Sequence, residues 1–110
     1  MENFFLLEPW FVEKVWGGDR LGRLIESGGE RKANARYGEA WLLYIRDERS
    51  SIVRSGKNKG RSLAEIAKQD GVALLGRRFA GKRFPLLCKF ICADSGHLSV
   101  QLHPDKEAVE

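Results

Sequence analysis

Apolar and polar positions alternate along parts of this chain and give way elsewhere to helical spacing, which divides it into a short series of elements. From Gly38 to Ile45 the alternation predicts a strand, with Trp41, Leu43 and Ile45 on one face and Leu42 and Tyr44 on the other. Leu98 to His103 alternates as cleanly. Leu98, Val100 and Leu102 would pack inward there, and Ser99, Gln101 and His103 share the opposite face until Pro104 ends the strand. Between them, Phe84 to Ala93 is an almost unbroken apolar run that predicts a strand buried on both faces. Asp94-Ser95-Gly96 then turns it into a hairpin with the closing strand. Ser51 to Arg54 is a shorter strand, and the apolar run Phe4 to Leu7 precedes Pro9 at a sheet edge or turn.

Helical spacing occupies the gaps. Asp19 is placed to cap a helix carrying Leu21, Leu24 and Ile25 on one face, stopped by Gly28-Gly29. Ser62-Leu63-Ala64-Glu65 is a capping box, so a helix starts at Ser62, buries Leu63, Ile66 and Ala67, and ends at Gly71. A further helical turn covers Val72 to Leu75 and ends at Gly76. Trp16-Gly17-Gly18-Asp19 reads as a tight turn whose glycines allow positive φ or the close approach of another group to the main chain. The polar segment Glu30 to Arg36 is a loop.

Composition adds bounds rather than elements. At 110 residues, 43% hydrophobic and 31% charged, the chain suits one globular domain and not a disordered segment. The first eleven residues carry Glu2 and Glu8, lack a basic region and are too short for a signal peptide or a membrane span, so a cytoplasmic location is expected. A net charge of +4 permits an anionic partner. The densest basic cluster is Arg77, Arg78, Lys82 and Arg83, which reads first as a solvated loop and second as a phosphate-attracting patch. With only Phe79 interleaved, nucleic acid is not expected as a partner. On one strand face Cys88 and Cys92 would lie about 13 Å apart, beyond disulfide reach. Reduced, buried core thiols are the expectation.

Two pairs of residues carry candidate chemistry. Gln101 and His103 sit two apart on one strand face, where an amide oxygen and an imidazole can reach a single metal ion; on spacing alone a polar strand face explains them as simply. Lys89 interrupts the apolar run, and a charged residue seldom enters a core unpaired. Either it snorkels at a strand end, or it faces the same cavity as Gln101 and His103 and binds an anion there with the Ser99 hydroxyl. Glu39 and Trp16 read by themselves as a strand-end carboxylate and a core aromatic, and His97 as a solvent-exposed turn residue. No nucleotide-binding glycine loop, nucleophile elbow or paired-cysteine metal motif is present.

In order, the segments Val15-Trp16-Gly17-Gly18, Gly38-Glu39-Ala40-Trp41, Ser51-Ile52-Val53, Gly60 to Ile66, Leu74-Leu75-Gly76, Phe84 to Phe90 and Leu98 to Asp105 resemble the N-terminal part of the type I phosphomannose isomerases, zinc enzymes of the cupin superfamily. The resemblance implies a mainly β fold with short helices, the N-terminal part of a cupin-type jelly roll with the barrel incomplete. It implies an aldose–ketose isomerase that interconverts mannose 6-phosphate and fructose 6-phosphate. Gln101 and His103 would be two of four zinc ligands. Lys89 and Ser99 would face the substrate phosphate, and Trp16 and Glu39 would line the pocket. Zinc would act there as a Lewis acid beside the sugar oxygens. The remaining ligands and the family's catalytic arginine have no counterpart in this sequence, and no residue is assigned as general base. Residues 1–110 are therefore expected to form a single domain or a truncated N-terminal segment, inactive alone. The alternative from another class is a non-catalytic sugar-phosphate-binding or regulatory module.

Overall fold

Three antiparallel strands, ordered β1-β2-β3, form the sheet in a computed structural model that describes residues 4–25 and 30–94. Strand β1 is Trp10–Gly18, β2 is Tyr37–Leu43 and β3 is Cys88–Ile91. β2 is central. It pairs with β1 through Trp10↔Trp41, Phe11↔Ala40 and Val12↔Glu39, and with β3 through Glu39↔Ile91, Ala40↔Phe90 and Trp41↔Lys89. Residues directly opposite across an antiparallel pair share a face. Trp10, Trp41 and Lys89 therefore stand on one face, and Phe11, Ala40 and Phe90 on the other.

The second of these faces holds a core. Phe11, Leu21, Tyr37 and Ala40 are buried together, with Ile25, Ala35, Leu42 and Cys92 packed around them. Helix α1 (Arg20–Leu24) supplies Leu21. Tyr37 and Ala40 both enter this core although they lie three residues apart, so strict alternation breaks between them. The break coincides with the register shifts of β1 between Val12 and Glu13 and between Glu13 and Gly18. Such irregularities re-aim side chains without ending a strand.

A second buried group lies beyond the end of β2. Tyr44, Ser51, Val53, Leu63 and Ile66 are almost fully buried there, and short bridges join Ile45 to Ser50, Ile52 to Ser62 and Leu7 to Val53. Helix α2 (Leu63–Gln69) begins where the capping box predicts, with the Ser62 hydroxyl accepting the Glu65 N–H. The buried Ser50 hydroxyl accepts a second free donor of the first turn, the Ala64 N–H, at 3.1 Å. The Ser51 hydroxyl accepts the Tyr44 N–H at 3.0 Å. Both buried serines thus find partners, and they fasten the helix start to the 44–51 turn. Helix α3 (Gly71–Leu75) follows and stops at Gly76, whose φ is 78°.

Several expectations need correction. Trp16 to Gly18 is not a turn but the end of the nine-residue strand β1. Its glycines serve close approach: a Cβ at Gly17 would fall 2.5–2.7 Å from the backbone of Tyr37 and Gly38. Asp19 precedes α1 without a side-chain cap; the Asp94 carboxylate accepts the Arg20 N–H instead, at 3.0 Å. The apolar run from Phe84 yields only the four strand residues of β3, and these are not buried on both faces. Leu86, Leu87, Phe90 and Ile91 are exposed because β3 is the sheet edge and no described element covers it. Cys88 is accordingly an exposed thiol rather than a core one, whereas Cys92 is partly buried; both are free. The expected stop of α1 at Gly28-Gly29, the hairpin after Asp94 and the closing strand lie outside the described residues. Among the described residues the sheet is open, and no helix is long and apolar enough to cross a membrane.

Candidate functional site

The residues singled out by chemistry converge on the sheet face opposite the core. Glu39 stands at the centre of β2, not at a strand end, with its side chain only 14% exposed. Its Oε2 lies 3.8 Å from Lys89 Nζ on β3 and 4.0 Å from Lys14 Nζ on β1. Its Oε1 accepts the Trp41 indole N–H at 2.9 Å. The carboxylate is thus held on three sides by groups from all three strands. The Trp41 hydrogen bond orients the carboxylate, and the two ammonium groups stand at ion-pair distance from it, beyond hydrogen-bond reach.

Lys89 is neither an unpaired core charge nor a side chain that merely escapes to solvent. Opposite Trp41 in the ladder, it lays its ammonium 4.6 Å from the centre of the indole ring while pairing diagonally with Glu39. Cation–π attraction and the ion pair act together to hold it over the sheet. Trp41 also packs against Trp10 and Tyr44, with ring centroids 5.5 and 5.4 Å away. Arg49 stacks on Trp10 at 4.2 Å and donates to the Tyr44 hydroxyl at 3.0 Å. An aromatic platform therefore underlies the charges, and its rings have few low-energy alternatives to their present positions.

Trp16 reaches the same neighbourhood through Gly38. The space a Cβ would fill at Gly38 is taken by the Trp16 ring and by the Lys14 stem, whose Cβ and Cγ lie 2.8 and 2.9 Å from it. Any larger residue beside Glu39 would drive both side chains away. The structure thus brings together Trp16, Glu39 and Lys89 among the expected site residues. Ser99, Gln101 and His103 lie outside the described residues. Lys14 and Trp41 were not anticipated. Lys14 shares the odd–even parity of Trp10, Val12 and Trp16, so reading β1 as a strand would have placed it on this face.

As built, these groups suit an anion rather than a metal. Two ammonium groups face one carboxylate, and the oxygens of Glu39 are engaged. Among the described residues no group of three or more His, Cys, Asp or Glu side chains is placed to hold a metal ion. A separate, mostly apolar cleft of about 910 Å³ runs between α1 and β3; it shares Lys89 with the charged face. At its end, Cys92 donates its thiol hydrogen to Asp94 at 3.1 Å. That hydrogen bond, with some desolvation, raises the Cys92 pKa above the ordinary thiol value. The same bond and the Arg20 N–H lower the pKa of Asp94 below the usual carboxylate value.

Comparison with known proteins bears on this site. Residues 4–110 match the family described as phosphomannose isomerase type I, catalytic domain. The chain is 37% identical over 100 residues to mannose-6-phosphate isomerase ManA of Bacillus subtilis, covering 91% of this chain and 30% of that protein. It is 36% identical over 107 residues to the probable mannose-6-phosphate isomerase GmuF of the same organism, covering 97% of this chain and 32% of that protein. The mannose-6-phosphate isomerase of Streptococcus mutans is 34% identical over 105 residues. Among solved structures, the mannose 6-phosphate isomerase from Bacillus subtilis superposes with a TM-score of 0.62 at 30% identity, over 79% of this chain and 27% of that one. The chain spans about 30% of the length of the curated relatives it matches.

Proposed function

The chain belongs to the type I phosphomannose isomerase family, and from that membership we propose that residues 1–110 form the N-terminal segment of a zinc-dependent mannose-6-phosphate isomerase. The reaction is the interconversion of mannose 6-phosphate and fructose 6-phosphate, carried out in the cytoplasm. The observation that carries this reading is Lys89, held over Trp41 and beside Glu39 on an open sheet face. An ammonium so oriented meets an incoming phosphate without first having to be ordered, which lowers the cost of binding. Trp16 and Glu39 would line the sugar's side of the pocket, and Ser99 would add a hydroxyl donor to the phosphate. Gln101 and His103 would hold zinc, which when bound supplies Lewis-acid polarisation of the sugar oxygens.

The test is an isomerase assay on the zinc-loaded protein that carries this segment, with metal analysis alongside. Turnover of mannose 6-phosphate is expected. Lys89→Met should raise KM more than it lowers kcat, and His103→Ala should remove both zinc and turnover. Saturable binding of hexose phosphate with neither zinc nor turnover would overturn the enzyme reading in favour of a regulatory module.

A further inference from the structure

We propose that Lys14 is a specificity-determining residue for the phosphorylated sugar, the second ammonium on the Glu39 carboxylate and the one that leaves the Lys14–Glu39–Lys89 cluster with a net positive charge. The inference rests on the sugar-phosphate reading above and adds a residue to it. Glu39 carries one negative charge and lies 3.8 Å from the Lys89 ammonium. Those two charges cancel in sum, so Lys89 beside Glu39 offers a phosphate a directional donor but little net charge attraction. Lys14 Nζ, 4.0 Å from the same carboxylate oxygen, tips the balance to one net positive charge.

The geometry keeps that charge in place. Trp41 engages the other oxygen of Glu39, so the carboxylate would have to give up that hydrogen bond to offer each ammonium an oxygen of its own. One oxygen shared by two cations leaves each of them with unfilled donor capacity. The Lys14 stem is fixed by lying against Gly38 beneath Trp16, and the register shifts of β1 bring it there. Phosphate monoesters carry about −1.5 to −2 charges at neutral pH and three acceptor oxygens, which suits two ammonium groups presented from the strands on either side of β2. An unphosphorylated hexose gains no charge–charge attraction from the second cation.

Equilibrium titration of the zinc-loaded protein that carries this segment, read by tryptophan fluorescence, tests this, since Trp41 adjoins both Glu39 and Lys89. Mannose 6-phosphate is the probe, with mannose as the uncharged control. Lys14→Met should weaken mannose 6-phosphate binding by roughly tenfold or more, the usual scale for a lost contact to a charged group. It should leave mannose unchanged and flatten the dependence on salt, and Lys14→Arg should restore all three. A lysine with a merely structural role would move neither the salt dependence nor the ratio between the two sugars. The proposal is overturned if Lys14→Met binds mannose 6-phosphate as tightly as the parent, or if both sugars weaken equally. Thermal melts accompany each variant, and Lys14→Gln serves in place of Lys14→Met should the latter not fold. A parent chain that binds both sugars alike would instead refute the sugar-phosphate reading itself.

Discussion

Replacing Gly38 with alanine adds one methyl group and isolates the packing that holds the candidate site together. Gly38 does not have a positive φ, so alanine can adopt its backbone conformation. Were space available, the substitution would stabilise the protein by about 0.4–1 kcal/mol by restricting the unfolded chain. The structure predicts the opposite sign. The new Cβ would lie 2.8 Å from Lys14 Cβ, where ordinary contact begins at 3.4 Å, so the Lys14 stem must withdraw by about 0.6 Å and the Trp16 ring by more. Neither atom is the free end of a flexible chain. Overpacking of this kind costs about 1–3 kcal/mol. With a urea m-value of about 2 kcal/mol/M, the unfolding midpoint should fall by roughly 0.5–1.5 M. The displaced Lys14 should also lose its pairing with Glu39, giving a weaker preference for mannose 6-phosphate over mannose. A midpoint that stays level or rises, with sugar preference unchanged, would refute the claim that Gly38 seats Lys14 and Trp16.

Three further outcomes follow from the same contacts. Ser62→Ala removes the acceptor for the Glu65 N–H and should cost about 1 kcal/mol in urea unfolding; no change would show that Ser50 alone suffices as a cap. Ile66→Ala, at a position 1% exposed, should cost about 2–5 kcal/mol, measured by the same denaturation, and a loss below that range would mean the neighbours collapse into the space. The Cys92–Asp94 pair gives a pH prediction. The folded pKa of Asp94 lies below its unfolded value, so its contribution is present above the unfolded carboxyl pKa and is lost as pH falls through the folded one. Asp94→Asn should therefore flatten the acid limb of the stability profile. In a Cys88→Ser background it should also speed alkylation of Cys92 at mildly alkaline pH, because the largest cause raising that thiol's pKa is removed; an unchanged rate would contradict the contact.

What could be read from sequence, and what could not, divides along local and non-local lines. The capping box at Ser62 and the stop at Gly76 are set by residues within one helical turn, and both are found where expected. The alternation from Gly38 found β2 because that strand is central and packs on both sides. No strand is read over Trp10–Gly18, and its end passes for a turn because paired glycines signal a turn by composition. Here they instead let a strand pass close to the Tyr37 backbone, a contact between residues twenty apart in sequence. The apolar content of Phe84 to Ala93 overstated burial for a related reason. Hydrophobicity reports what a strand can pack against, whereas exposure depends on what covers it, and β3 is an edge among the described residues. Trp16 and Glu39 become site residues only through the family resemblance, whereas Lys89 stands out by its charge within an apolar run. Spacing does not show that the three share a face, since they lie on three strands and only the sheet's register unites them.

The same register explains why a single lysine within an apolar run is tolerable. Lys89 stands opposite Trp41, and Glu39 lies one pleat further along β2, so the ammonium finds a ring face and a carboxylate without leaving its strand. A shift of β3 by one residue would turn Lys89 towards the Phe11–Ala40 core and Phe90 away from it. The charge then has no partner there, and the cost of burying it unpaired opposes the slip. The Glu39–Lys89 pair thus does two jobs at once: it specifies the pairing of a short edge strand, and it presents an ordered cation on the open face. Lys14 changes the second of these and not the first. Hence a change at Lys14 should alter anion preference while β3 stays in register, whereas a change at Glu39 should disturb both.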